Sequence, residues 1–245
     1  MIEAMRKAYD QRNFREARRL GERLSALRDP EGMTMVGRLH AEGRTGPPRF
    51  EDAKAHFFEQ AQMRFREAGA LGFAEATRRL GMLYFDPRWD RLDASTGWRY
   101  LEEAAAAGDM VAYFEQARLV LEGRRAPKDV KLALGLLNRA VDGGVADAMA
   151  DLGYAYISGS IVPRDVPKGR DLVAKAVAAG SARGQFAMAM SMRTGYSRPQ
   201  TVVAASEYNA STAAEYREAG LLLAEAAGKG EPRAMLALGL MLRDG

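Results

Sequence analysis

The chain has 245 residues, of which 47% are hydrophobic, and a formal net charge of +4. It contains no cysteine, which excludes disulfides, thiolate catalysis and zinc–thiolate sites. No apolar run reaches the length of about 18 residues that a membrane span needs. The small positive charge is weak evidence for a nucleic-acid partner.

The N-terminal segment predicts a polar cap. Residues 1–32 favour a capping pair of helices with a break near Asn13, followed by Ala17, Leu20 and Leu24 at helical spacing. The segment is charged and lacks the apolar stretch of a signal peptide. We therefore expect a cytoplasmic protein if Met1 is the native start, and a periplasmic one if a signal peptide was removed.

A spacing of 36 residues recurs through the rest of the chain. It is kept by Gly72, Gly108, Gly144 and Gly180, and by Asp93, Asp129 and Asp165. A period of this length is typical of helical solenoids, in which each unit packs mainly against its neighbours. Within one unit, such as residues 112–147, two segments of helical spacing are separated by glycine. They predict an antiparallel pair, named helix A and helix B.

The recurring residues have physical roles. An aspartate at the start of helix B is expected to accept N–H groups of the first turn. A glycine after helix B is expected to take the left-handed conformation that ends a helix. A small residue also recurs in helix A, at Gly81, Ala117, Gly153, Ala189 and Gly239. Because glycine costs about 1 kcal/mol inside a helix, this small column predicts a second helix packed too close for a side chain.

These patterns predict an all-α solenoid of about five and a half helix-pair repeats after the cap. The expected repeats are 33–75, 76–111, 112–147, 148–183, 184–233 and a half repeat at 234–245. The fifth repeat contains 14 extra residues around Tyr196 to Tyr216, and an excess of eight residues lies near Arg44 to Phe50. Insertions in solenoids gather on loops and often carry specificity.

Residues 76–84 (ATRRLGMLY) and 148–159 (AMADLGYAYISG) carry the most regular form of the repeat. In these residues, and in Asp165, Ala176 and Gly180 further on, the chain resembles the Sel1-like repeat family, which is related to the tetratricopeptide repeats. The units at 112 and 184 depart from the pattern, with Gln116-Ala117 and Met188-Ala189 in place of Leu-Gly. The resemblance implies a right-handed superhelix of helix pairs. It also implies an adaptor in bacterial complexes, including those of envelope polysaccharide export and signalling.

The expected function is therefore a non-enzymatic scaffold that binds a protein or peptide. No catalytic residue, metal site or cofactor is predicted, because the only two histidines, His40 and His56, have no accompanying nucleophile or further ligands. Three alternatives stay open: an enzyme that uses these histidines, a nucleic-acid-binding regulator, and a polysaccharide-export accessory protein that contacts glycan through Trp89 and the exposed tyrosines. For Trp89 itself, the favoured interpretation is a ring tucked beneath its loop.

Partner choice is expected in the variable positions of helix A, because A helices usually line the concave wall of such a solenoid. Two columns four residues apart lie on one helix face and contain the aromatic, methionine and arginine side chains that are enriched at interfaces. The two arginines are expected to be exposed, since unpaired arginines are seldom buried. The predicted partner-binding residues are Arg78, Met82, Phe114, Arg118, Tyr154, Phe186 and Met190.

The C-terminal half repeat also predicts an interaction. Apolar residues such as Leu236, Leu240 and Leu242 circle much of its helix A, and no helix B follows it. An open apolar face of this kind tends to associate. We expect it to be covered by the rest of a longer array, by a second copy of the chain or by a partner.

Overall fold

The computed structural model describes residues 1–45, 53–89, 91–124, 129–193 and 210–244. In these ranges the chain forms thirteen α-helices and no strand, which confirms the predicted all-α fold. The helices are α1 (Ile2–Asp10), α2 (Phe14–Ala26), α3 (Pro30–Ala41), α4 (Ala53–Ala70), α5 (Ala74–Leu83), α6 (Ala94–Ala106), α7 (Met110–Leu121), α8 (Val130–Asp142), α9 (Ala146–Ser158), α10 (Val166–Ala178), α11 (Ala182–Arg193), α12 (Ala210–Gly228) and α13 (Pro232–Asp244).

The helices belong to two compact units, Met1–Leu136 and Leu137–Gly245, and α8 crosses the boundary. In the first unit, α1 to α7 follow one another so that each helix packs against the next. The same holds for α9 to α13 in the second unit. Odd-numbered helices are the A helices of the predicted pairs, and even-numbered helices are the B helices. Successive A helices also touch, α3 against α5 and α9 against α11.

The predicted aspartate caps are confirmed at the start of three B helices. Asp93 accepts a hydrogen bond from the backbone N–H of Thr96 at 3.0 Å, and Asp129 and Asp165 accept equivalent bonds at 2.9 and 3.1 Å. The hydrogen bonds that Asp93 accepts from Thr96, and from the Ser95 hydroxyl, lower its pKa to about 2, because they favour the charged carboxylate. The recurring aspartates therefore fix where helix B begins.

The predicted glycine ends are also confirmed. Gly108 follows α6 with a φ of +93°, a conformation that costs a side-chain-bearing residue energy. Its equivalents Gly72, Gly144 and Gly180 have φ values from +79° to +83°. The 36-residue spacing thus marks a left-handed turn between each helix B and the next helix A.

The small column of helix A lies where two helix backbones nearly touch. A Cβ on Gly81 would lie 2.8 Å from the carbonyl oxygen of Gly97, and a Cβ on Gly153 would lie 2.8 Å from that of Gly169. Ala117 and Ala189, at the same position in their helix-pair repeats, are fully buried. The column therefore sets the distance between helix A and helix B of one pair, as the sequence predicts.

Trp89 is buried in the core of the first unit, which confirms the favoured interpretation. The ring is buried and lies edge-on to Phe58, with 6.1 Å between ring centroids. Phe58 in turn meets Tyr84 edge-on. The aromatic cluster fills the space under the loop that follows α5, so Trp89 does not present its face for contact with a glycan.

The predicted insertions fall mainly outside the described residues. This applies to residues 46–52 and 194–209, which contain most of the Arg44–Phe50 and Tyr196–Tyr216 segments. The expectation of a loop is wrong for the end of the second segment, because residues 210–216 form the first turns of α12. With 19 residues, α12 is longer than the 13-residue α10, the preceding B helix.

Candidate functional site

The predicted partner-binding residues occupy different environments on the A helices. Met82 in the first unit and Tyr154, Phe186 and Met190 in the second are half-buried. Tyr154 packs beside the buried cluster that contains Ile157 and Val173. Phe186 and Met190 pack on the cluster built from α11, α12 and α13. Each of these side chains is therefore partly buried and partly exposed on the helix-A face.

Arg78 is paired, which corrects the expectation that it is a lone, exposed arginine. Its Nε donates to Asp109 Oδ2 at 2.7 Å, and only 14% of its side chain is exposed. Asp109 also caps α7 by accepting the backbone N–H of Val111 at 3.0 Å. Arg78 thus links α5 to the first turn of α7, where a carboxylate is already favoured by the helix dipole.

Phe114 is a core residue, which corrects its predicted role as a partner contact. The residue is only 3% exposed, which leaves almost no surface for a partner. Arg118 lies one turn further along α7, with its guanidinium 5.9 Å from the centroid of the Phe114 ring. Arg118 itself bonds Glu115 at 3.0 Å and Glu122 at 3.4 Å. It is therefore paired rather than lone, although a third of its side chain stays exposed.

In the second unit, charged side chains connect the A helices. Arg183 of α11 donates to Asp151 of α9 at 2.9 Å. Arg233 of α13 reaches the other oxygen of the same carboxylate at 3.3 Å, and its guanidinium lies 5.2 Å from the centroid of the Phe186 ring. Asp151 therefore joins three successive A helices on the face that carries Tyr154 and Phe186.

A cavity of about 280 Å³ lies on the A helices of the first unit. We name it the α1–α3–α5 cavity after the helices that contribute its side chains. Both signs of charge line it, together with methionine, tyrosine and phenylalanine. Its lining residues are Met5, Arg6, Tyr9, Asp10, Glu31, Thr34, Met35, Arg38, Phe73, Glu75 and Arg79.

Two lining residues of the α1–α3–α5 cavity, Tyr9 and Arg38, are joined through the carboxylate of Glu42. The guanidinium of Arg38 lies 4.0 Å from the centroid of the Tyr9 ring. Its Nε donates to Glu42 Oε1 at 2.9 Å, and the Tyr9 hydroxyl donates to the same carboxylate at 2.7 Å. Burial, followed by this bond to Glu42, raises the pKa of Tyr9 to about 12. Tyr9 is therefore a neutral donor at any physiological pH.

A second arginine of the cavity lining, Arg79, lies on α5. Arg79 Nε donates to Glu75 Oε1 at 2.8 Å. Burial raises the pKa of Glu75, but the charges of Arg79 and Arg78 outweigh it and hold this pKa below its usual value. For Arg79, burial lowers the pKa, Glu75 counteracts that effect, and the charge of Arg38 lowers the pKa further. The two cavity arginines are thus close enough to repel each other.

The cavity residues were missed by the sequence reasoning, although part of the signal was present. Gly37 and Gly81 are equivalent positions separated by 44 residues instead of 36. That step places Arg38 in the same column as Met82 and Arg118, on the predicted binding face. Tyr9 has no such register, because the first helix pair is too irregular to align with the others.

The two histidines lie in different environments. His40 is 8% exposed, and its Nδ1 lies 3.3 Å from the Thr45 hydroxyl. Burial, followed by the charge of Arg18, lowers the pKa of His40 to about 4. His56 is exposed and lies 6.0 Å from Phe57, measured between ring centroids. In residues 53–89 and the other described ranges, no three His, Asp or Glu side chains are grouped as a metal ion would require. Every described helix is too short or too polar to cross a membrane.

The helix pairs and their spacing define a class of repeat protein. Three Sel1 repeats are recognised, at residues 74–109, 111–145 and 146–181. The chain therefore contains tandem Sel1 repeats, which confirms the resemblance seen in its sequence. Sel1-repeat proteins generally mediate protein–protein interaction and act as non-catalytic scaffolds. No protein of curated function shows significant similarity to the chain.

Solved structures share the fold. A Sel1 repeat protein from Oxalobacter formigenes is 22% identical with a TM-score of 0.64, over 98% of this chain and 89% of that one. A Sel1 repeat protein from Klebsiella pneumoniae subsp. pneumoniae is 19% identical with a TM-score of 0.52, over 91% and 97%. A protective antigen of uropathogenic Escherichia coli with the SLR fold is 18% identical with a TM-score of 0.56; this chain, matched over its whole length, spans 52% of it. At these identities the comparison establishes the helix-pair solenoid fold.

Proposed function

We propose that the chain is an adaptor that binds a peptide or protein segment on the helix-A face of residues 1–83. The observation that supports this most directly is the α1–α3–α5 cavity, whose lining side chains come from three A helices and the residue that caps α5. Tyrosine, arginine, methionine and phenylalanine are the residue types enriched at protein interfaces. Their concentration on one face favours a protein partner.

The second unit offers a further surface of the same composition. Tyr154, Phe186 and Met190 are half-buried on its A helices, and the Asp151 network with Arg183 and Arg233 holds those helices together. Half-buried aromatic side chains beside ion-paired arginines supply contact area with little ordering cost, because their rotamers are already restricted. We propose that these three side chains contact the partner as well, together with Met82 and Arg118 of the first unit.

A matched pair of charge reversals tests the helix-A assignment. Arg6 lies at the cavity, is 60% exposed and pairs with Glu31. Arg99 lies on helix α6, a B helix, is 58% exposed and pairs with Glu103. The partner is first identified by cross-linking in the source cell, and its Kd is then measured by calorimetry. We expect Arg6→Glu to weaken binding about tenfold, since reversal of an interface charge costs more than 1 kcal/mol, whereas Arg99→Glu changes it less than twofold.

The control also defines the opposite result. Both reversals place a glutamate beside an existing carboxylate, so any general loss of stability should be similar and visible in the Tm. Equal loss of affinity in the two variants, or a loss confined to Arg99→Glu, would place the partner elsewhere and refute the helix-A assignment.

We also propose self-association through α13. Met235, Leu236 and Leu242 are exposed on this helix, and a Cβ on Gly239 would meet no described atom within 4 Å. Elsewhere a glycine of this column packs against a glycine of a neighbouring helix. A second copy of α13 would supply such a glycine in an antiparallel pair. Sedimentation equilibrium should show a dimer that Leu242→Glu dissociates; a concentration-independent monomer would refute the pairing.

A further inference from the structure

Two neighbouring side chains hold the guanidinium of Arg38 on the helix-A face. Its central carbon lies 4.0 Å from the centroid of the Tyr9 ring, and its Nε donates to Glu42. Within the described residues, neither terminal nitrogen of Arg38 donates a hydrogen bond. These two nitrogens form a planar fork that matches the two oxygens of a carboxylate. Because the side chain is already ordered, a ligand that uses the fork does not have to restrict it further.

Of the acidic side chains in the cavity lining, Glu31 and Glu75 are already engaged, as is Glu42 beside it, whereas Asp10 is exposed. Glu31 accepts a hydrogen bond from Arg6 at 2.6 Å, and Glu75 accepts one from Arg79 at 2.8 Å. Glu42 accepts from both Arg38 and Tyr9. The wall thus leaves the Arg38 fork available, with Arg79 as a second cation lining the same cavity.

Part of the cavity lining is apolar. Met5 and Met35 are buried residues of this lining, and Phe73 is a half-buried one. Methionine side chains adapt to apolar groups of different shape. A volume of about 280 Å³ is just below the range of about 300–1,000 Å³ for ligand pockets, so the site suits a group the size of one residue rather than a long segment.

We propose that the α1–α3–α5 cavity binds a carboxylate together with the apolar side chain next to it, as the recognised group of the partner peptide. This inference rests on the proposed function and names the chemistry of its ligand. The Arg38 fork donates to the two carboxylate oxygens, Arg79 provides the second positive charge, and Met35 and Phe73 contact the apolar side chain. The carboxylate is either a chain terminus or the side chain of an Asp or Glu residue.

Three small probes test the site in the full-length chain labelled with ¹³C-methyl methionine. N-acetyl-leucine carries a terminal carboxylate, N-acetyl-aspartyl-leucinamide carries only a side-chain carboxylate, and N-acetyl-leucinamide carries none. We expect saturable shifts of the Met5 and Met35 methyl signals with at least one of the two acids, which identifies the source of the carboxylate. The amide should cause no saturable shift. Equal shifts with the amide, or none with any probe, would overturn the proposal.

Two substitutions and one control assign the effect to the fork. Arg38→Gln should weaken binding of the effective probe at least about tenfold, because it removes a charge-assisted bidentate contact. Arg79→Gln should weaken it less, and it tests the site independently if Arg38→Gln disturbs the fold. Arg99→Gln is the control: Arg99 also lies over a tyrosine ring and bonds a glutamate four residues on. Unchanged binding in both cavity variants would overturn the proposal.

The two levels of the account can fail separately. If Arg6→Glu weakens partner binding but no probe shifts Met5 or Met35, the helix-A surface stands and the carboxylate site is wrong. If the probes bind as expected but Arg6→Glu leaves partner affinity unchanged, the cavity is a ligand site and the assignment of the partner to it is wrong.

Discussion

Replacement of Gly153 by alanine should destabilise the second unit, although alanine is the better helix former. The added Cβ would lie 2.8 Å from the carbonyl oxygen of Gly169 and 2.9 Å from a methyl group of Val173. A backbone oxygen cannot rotate away as the end of a side chain can. Overpacking typically costs about 1–3 kcal/mol, and alanine recovers about 1 kcal/mol of helix propensity. The contact with backbone places the cost in the upper part of its range, so we expect a net loss of about 1–2 kcal/mol.

Gly135 provides the matched control, because it is exposed in the middle of α8 and an added Cβ would meet no described atom within 4 Å. Gly135→Ala should therefore stabilise the chain by about 0.5–1 kcal/mol. Urea and thermal unfolding followed by circular dichroism measure both changes. For a chain of this size, about 1 kcal/mol corresponds to a shift of about 2–4 °C in Tm. Gly153→Ala should lower the Tm and Gly135→Ala should raise it. Two shifts of the same sign would refute the role of close helix approach at the small column.

Three further predictions concern charged and titratable groups. Because the pKa of His40 is depressed to about 4, the folded state favours the neutral ring, and this stabilisation is complete above pH 6.5 and is lost as the pH falls towards 4. Urea titrations should show that the free energy of unfolding falls by about 2–3 kcal/mol over this range, and that His40→Gln removes this fall. The pKa of Tyr9 is raised to about 12, so the neutral hydroxyl stabilises the fold fully below pH 10 and this stabilisation is lost as the pH rises towards 12. The difference in absorbance at 295 nm between the unsubstituted chain and Tyr9→Phe should show this late titration. A midpoint near pH 10 would contradict it. Arg78→Ala leaves the buried Asp109 carboxylate without its partner and should cost about 3 kcal/mol, whereas Arg118→Ala, which removes a partly exposed ion pair, should cost less than about 1 kcal/mol; equal losses in the two unfolding experiments would contradict the account of Arg78.

The helix pairs and their ends could be predicted from the sequence because each depends on local chemistry. An aspartate such as Asp93 caps the helix that follows it, and a glycine such as Gly108 ends the helix that precedes it, in each of the regular repeats. The small column at Gly81 and Gly153 could be predicted for the same reason, since the neighbouring helix returns at a fixed place in each repeat.

The exposure of the helix-A side chains could not be predicted in this way. Position 78 in the first unit holds a paired arginine, and the equivalent position 114 holds a buried phenylalanine. The partner of Arg78 is Asp109, which lies 31 residues further along and has a separate role as a helix cap. Such pairs depend on which side chains of different repeats meet, and a repeat pattern averages over those differences.

The α1–α3–α5 cavity was missed because two of its three helices lie where the 36-residue spacing fails. Arg38 belongs to the expected column only after the 44-residue step is applied, and Tyr9 belongs to a pair with no detectable register. The side-chain contacts of the first helix pairs therefore become visible only in the structure, whereas the regular repeats at residues 74–181 are well described by their sequence.

Site-specific photo-cross-linking in the source cell tests the central claim most directly. A photoreactive residue is placed at the exposed position of Arg6, beside the α1–α3–α5 cavity, at Met82 on α5, or at the equally exposed position of Arg99 on helix α6. Binding through the helix-A face predicts the same cross-linked partner from positions 6 and 82 and none from position 99. A partner captured from position 99, with positions 6 and 82 silent, would contradict the account.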